Sequence, residues 1–349
     1  MTHMSEPKGR GPAWTEERGT SDEGRRGLKS GPEASGETQP IPHWPGRLVS
    51  LGDHQVYVRR APGPEGAELA LFVHGLEGSS RNWTDLIDLL RPQLACDAVD
   101  LPGFGDSPPR PDGRYSIAAL AQTVIALIEH GGHGPVHLIG NSLGGAVCVK
   151  VAATRPELVR TLTLISPALP DSRPRLDLLR FPMMSLPRVG ARLIRQYQLL
   201  PPERRVADVI TTCYSDPALF PQARFATEVA ELTRRDSLGY AAAALTGSLR
   251  TLTAEFLRKG SHSAWRDAAR VTAPSLVIYG SRDRLVDARM AGRAAHQFKD
   301  AKIVVLPRTG HVAHMEHPGL VAAEIGILLA ASQGAQAGRA REFPLASAG

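Results

Sequence analysis

The sequence predicts an α/β protein built on a mostly parallel sheet with helices on both faces, and three observations carry that prediction. Strand-like and helical stretches alternate from residue 47 to residue 164. The strand-like runs are short, mostly apolar segments rather than polar-apolar alternations, which suits strands buried on both faces. One of them runs through Gly140-Asn141-Ser142-Leu143-Gly144 into an alanine- and valine-rich helical segment, giving strand, sharp turn and helix in succession. With 349 residues, the chain is long enough for one large domain of this class with an insertion.

The elements follow in chain order. Residues 1–46 are rich in Gly, Pro, Ser, Glu and Arg and nearly free of aliphatic side chains, so a disordered tail is expected. The turn residues Leu51-Gly52-Asp53-His54 lie between two strand-like pieces and predict a hairpin at the start of the sheet. Residues 69–73, 96–99 and 135–139 read as buried strands, and residues 146–153 as a buried helix that stops before Pro156. From residue 169 to 262 prolines punctuate short leucine- and arginine-rich helical stretches with no clear strand. Residues 275–279 and 302–306 restore the strand pattern, and residues 332–349 are small and polar, a second flexible end.

Ser142 is the first candidate for chemistry. A glycine two positions away on either side lets a strand turn abruptly into a helix, which presents the serine hydroxyl to a substrate. The competing role for such a serine is a helix cap. Residues 69–73 lead directly into His74-Gly75-Leu76-Glu77-Gly78-Ser79-Ser80. Late in the chain, Asp283 follows the strand at 275–279, and His311 follows the strand at 302–306. Neighbouring parallel strands end on one face, so Ser142, Asp283 and His311 are able to converge although distant in sequence. Asp283 has a rival reading as a turn residue. Asp100 and Asp106 compete as acids but read as structural turn residues, and His314 and His317 compete with His311. His74 is expected to shape its loop, and Trp83 to sit in the core or a pocket wall.

These motifs resemble the α/β-hydrolase family over residues 47–331. The resemblance implies an α/β-hydrolase fold: a mostly parallel eight-stranded sheet with helices on both faces and an inserted helical cap. It divides the chain into core (47–168), cap (169–262, between the sixth and seventh strands) and core again (263–331). It makes Ser142 the nucleophile, Asp283 the orienting acid and His311 the general base, with the amides of Leu76 and Leu143 as oxyanion-hole donors. Leu178, Leu179, Met183, Met184, Leu186, Leu193 and Ile194 supply the cap's apolar faces. The implied activity is serine hydrolysis of a carboxylic ester, or related acyl bond, of an apolar small molecule through an acyl-enzyme, with no metal or organic cofactor. Serine at the turn argues against the dehalogenase and epoxide-hydrolase chemistries, which use aspartate there. Asn141 also resembles the carbon–carbon bond hydrolases of ring-fission products, although Leu76-Glu77-Gly78-Ser79 departs from their oxyanion loop. That chemistry and a non-catalytic ligand-binding role are the alternatives.

The formal charge of +6 does not imply nucleic acid. The excess positive charge lies largely on arginines of the 169–262 segment, interleaved with Asp171, Asp177, Glu228 and Glu231, as on a solvated helical surface. Cys96, Cys148 and Cys213 lack metal or disulfide spacing and suit a reducing compartment. No segment has the length of a signal peptide core or a membrane span, so a cytoplasmic location without stable membrane insertion is expected.

Overall fold

The computed structural model describes residues 40–171, 183, 185–186, 189–258 and 263–342, with side chains as far as residue 334. Most of the expected N-terminal tail, the expected cap residues Leu178, Leu179 and Met184, and residues 343–349 lie outside the described residues.

Eight strands form one sheet in the order β1-β2-β4-β3-β5-β6-β7-β8. The strands are β1 Gly46–Ser50, β2 Gln55–Ala61, β3 Leu69–Val73, β4 Ala95–Val99, β5 Val136–Asn141, β6 Val159–Ile165, β7 Ser275–Gly280 and β8 Ala301–Leu306. Only the β1–β2 and β2–β4 pairs are antiparallel. The hairpin expected at residues 51–54 closes with the Leu51 amide donating to the His54 carbonyl, 2.8 Å. The remaining five pairings are parallel, so β3, β5, β6, β7 and β8 all end on one edge of the sheet.

Alternate side chains along a strand point to opposite faces, and both faces are apolar. Leu71 and Val73 of β3 join a cluster with α2 (Ile117–Gly131), α3 (Leu143–Thr154) and the later helices α8 (Ala264–Ala268) and α9 (Met290–Gln297). Ala70 and Phe72 join the opposite cluster with Trp83, α1 (Thr84–Leu90), α10 (Ala313–Glu316) and α11 (Pro318–Glu342). A fully buried side chain such as Phe72 contributes about 1.5–3 kcal/mol, so this two-sided burial dominates the stability of the sheet. Trp83 is wholly buried in the second cluster.

Among the described residues, four α-helices lie between β6 and α8: α4 Val189–Gln198, α5 Pro202–Cys213, α6 Gln222–Asp236 and α7 Ala241–Leu257. They have a small core of their own, Val206, Ile210, Tyr214 and Phe220, which also takes in Val312 of the main domain. Of the apolar residues singled out in this stretch, Ile194 is buried, whereas Met183 and Leu186 are exposed. The described residues form one compact unit.

Both chain ends depart from expectation. Residues 40–45, counted with the tail, are docked: Trp44 packs against the core, its indole donates to the Thr84 carbonyl (3.3 Å), and its own carbonyl accepts from Arg59 (2.7 Å). One tryptophan in a polar stretch buries enough surface to hold its neighbours. At the other end α11 continues past residue 331 to Glu342, because the segment carries alanine, glutamine and arginine and no proline. Among the described residues no helix is long and apolar enough to cross a membrane.

Candidate active site

Ser142 occupies the turn between β5 and α3 with φ 52° and ψ −117°, a backbone region that non-glycine residues seldom enter. Its hydroxyl caps nothing in α3, so the helix-cap role is not the one it fills. Both flanking glycines are required by close approach rather than by their own φ. A Cβ on Gly144 would lie 2.2 Å from the Val73 carbonyl oxygen, and one on Gly140 would lie 2.6 Å from Cys148 Sγ. The strained turn is therefore jammed against the end of β3.

That end carries the 74–80 loop. A Cβ on Gly75 would sit 3.1 Å from the Ser142 Cβ, which places this loop directly beside the serine. His74 shapes it: its Nε2 accepts from the Leu101 amide (2.9 Å), which leaves the proton on Nδ1 to donate to the Gly75 carbonyl (2.7 Å). Burial lowers the His74 pKa, keeping the ring in this neutral form. Among the described residues, neither the Leu76 nor the Leu143 amide is bonded to a backbone carbonyl.

Asp283 and His311 are brought together, with His311 Nδ1 and Asp283 Oδ2 2.9 Å apart and both residues buried. The other carboxylate oxygen of Asp283 accepts from the amides of Leu285 (2.7 Å) and Val286 (2.9 Å). Burial alone would raise the Asp283 pKa, but His311, through its charge and its hydrogen bond, and the two amides outweigh it, so the pKa is lowered and the group stays ionised. The exits of β7 and β8 touch: a Cβ on Gly280 would lie 2.1 Å from the Gly310 carbonyl oxygen, and the Arg282 amide donates to the Thr309 carbonyl.

The rival residues are accounted for elsewhere. Asp100 accepts from the amides of Ser80 and Asp106, and Asp106 pairs with Arg59 and Arg234. His314 is stacked on Trp83 with centroids 4.2 Å apart, and burial, reinforced by the charge of His311, pushes its pKa down to about 3.

Two positioning groups were not assigned from the sequence. The Asn141 amide donates to the carbonyls of Ile165 (3.0 Å) and His311 (3.1 Å), tying the serine turn to the histidine loop. Glu316 is buried and accepts from the Gly310 amide (2.7 Å) and the Ser215 amide (3.0 Å), while the His311 amide donates to the Cys213 carbonyl at the end of α5 (2.7 Å). Their sequence signals were position alone: Asn141 beside the serine, and Glu316 in the Glu-His-Pro phrase after His311. A narrow cleft lies next to the 74–80 loop, lined by Glu77, Phe104, Ile194, Arg205, Arg235 and Leu245 among others.

Residues 71–318 match the family profile described as alpha/beta hydrolase fold. The chain belongs to the alpha/beta hydrolase fold family. The chain is 26% identical over 255 residues to the dihydrolipoyllysine-residue acetyltransferase component of the acetoin cleaving system of Pseudomonas putida, covering 73% of the chain but only 61% of that relative's length. It is 26% identical to the pimeloyl-[acyl-carrier protein] methyl ester esterase of Neisseria meningitidis over 266 residues, 74% of the chain and 92% of the relative. In fold it is similar to the 2-hydroxy-6-oxo-6-phenylhexa-2,4-dienoate hydrolase of Rhodococcus, with a TM-score of 0.66, 21% identity and coverage of 81% and 98% of the two chains.

Proposed function

We propose that this hydrolase cleaves a carboxylic ester, or a related acyl bond, of a small apolar molecule through an acyl-enzyme on Ser142. The observation that carries the reading is the pair formed by a strained serine whose hydroxyl caps nothing and a buried Asp283–His311 hydrogen bond of 2.9 Å on adjoining loops. An ionised Asp283 holds the imidazole proton on Nδ1, so the Nε2 lone pair takes the Ser142 proton as the hydroxyl attacks the carbonyl. The amides of Leu76 and Leu143 receive the oxyanion, each worth about 10²–10³ in rate. The imidazolium then protonates the leaving alcohol, and water activated by the same histidine releases the acid.

The methyl ester esterase among the relatives supports ester over other acyl substrates. The apolar part of the substrate is assigned to the cleft between the 74–80 loop and the inserted helices, which act as a cap. The three free cysteines fit a reducing compartment.

The test is nitrophenol release from p-nitrophenyl acyl esters of graded chain length, with the wild type and Ser142→Ala side by side. Release by the wild type that is lost in the variant is the expected result. A wild type that releases nothing from any chain length overturns the ester reading.

A further inference from the structure

The last turn of α6 reaches into the site. Arg235 donates from Nη1 to the main-chain carbonyl of Glu77, 2.6 Å away. Glu77 and Leu76 are the two central residues of the tight turn closed by the Gly78 amide on the Gly75 carbonyl (3.1 Å). Glu77 has φ 57°, a left-handed conformation that a glutamate adopts only when something holds it there. The same helical turn grips the loop again further on: Glu231 is 3.2 Å from Arg81, which directly follows the loop. Glu231 in turn lies 3.8 Å from Arg235 Nε. Arg234 fixes the neighbouring loop through the Gly105 carbonyl (2.9 Å) and Asp106 (3.0 Å).

α6 has no fully buried apolar side chain: Phe225, Val229 and Leu232 are half-buried against the small core of the inserted helices, and its one buried residue is Glu231. Beside that apolar contact, the polar bonds of its last two turns converge on the loop that bears the Leu76 amide. Relaxation of Glu77 out of the left-handed region opens the Gly75–Gly78 turn, whose first peptide, between Gly75 and Leu76, carries the Leu76 amide.

We propose that Arg235 is a positioning residue, which holds the left-handed turn at Glu77 and thereby aims the Leu76 amide at the carbonyl oxygen of a substrate on Ser142. The proposal rests on the reading of Leu76 as an oxyanion donor. It makes the inserted helices part of the oxyanion machinery and not only a roof over the substrate.

The test uses the full chain with Arg235→Ala and, in case that variant folds poorly, Arg235→Lys. Amide hydrogen exchange is followed in residues 74–80 and in β3 as an internal control. Ester turnover and inhibition by an alkyl trifluoromethyl ketone, whose adduct with the serine carries an oxyanion, are measured in parallel. Exchange in the loop is expected to rise about tenfold in Arg235→Ala while β3 is unchanged. The same variant is expected to lose about tenfold in kcat with KM little altered, less than the loss of a whole oxyanion donor, and the ketone affinity is expected to fall by the same factor as kcat/KM. Arg235→Lys restores part of each. Unchanged exchange in the loop overturns the proposal, as does a fall in kcat with no change in ketone affinity. Faster exchange in the loop of a protein whose wild type cleaves no ester supports the hold on the turn and overturns the ester reading instead.

Discussion

The side-chain amide of Asn141 donates to the main-chain carbonyl of His311, 3.1 Å away, from the position immediately before Ser142. Its second proton goes to the Ile165 carbonyl at the end of β6, so one small side chain spans three strand ends. Replacing Asn141 by Asp puts a carboxylate oxygen against two carbonyl oxygens and separates the loops. We expect kcat for esters to fall about 10- to 100-fold with KM nearly constant, since a misplacement of about 1 Å costs on that scale. Steady-state kinetics of Asn141→Asp, with Asn141→Gln as the partial rescue, check this; a change confined to KM would contradict it.

Asp283 is acting against its own burial, and the sign of its pH effect follows. Its folded pKa lies below the ordinary value, so its contribution to stability is complete above about pH 4 and is lost as pH falls from there towards the folded value. Asp283→Asn removes this dependence and also removes the acceptor that fixes the proton on Nδ1. A fall in kcat of about 10³–10⁴-fold is expected, read from the same nitrophenyl ester assay.

Gly144 leaves no room for a side chain. With a Cβ built only 2.2 Å from the Val73 carbonyl oxygen and 2.4 Å from that of His74, backbone must move to admit even a methyl group. Gly144→Ala is expected to cost about 1–3 kcal/mol or more, and thermal unfolding of the variant measures it. Gly292, which has open space around its missing Cβ, provides the control: Gly292→Ala within α9 is expected to be neutral or stabilising.

His314 makes the fold sensitive to mild acid. Its pKa falls from an ordinary value near 6.5 to about 3, because the ring is buried against Trp83 and close to His311. The unfolded chain therefore binds a proton that the folded chain refuses, and stability declines as pH drops from about 6.5 towards 3, by on the order of 1.4 kcal/mol per unit for this one group. His314→Phe keeps a ring stacked on Trp83 and removes the titration. Urea unfolding at pH 7 and pH 5 is expected to show a smaller loss for the variant than for the wild type.

The local order of the chain is what the sequence determined by itself. Mostly apolar runs at residues 69–73, 135–139 and 275–279 became β3, β5 and β7, because a strand buried on both faces has little polar alternation and so declares itself over five residues. The serine turn was legible for the same local reason: its glycines are needed at two fixed positions. The residues that hold the site were not legible, since their partners lie far away in sequence and ordinary side chains make the bonds. Asn141 meets His311 across 170 residues, Glu316 meets Ser215 across 101, and Arg235 meets Glu77 across 158. No periodicity encodes such pairs. The docking of Trp44 escaped notice because composition over a window averages out one large apolar side chain, whereas packing responds to that side chain alone. Tertiary structure decided which histidine faces Asp283: His311 lies on the loop that abuts the β7 exit through Gly280 and Gly310, and His314, three residues on, turns into the core.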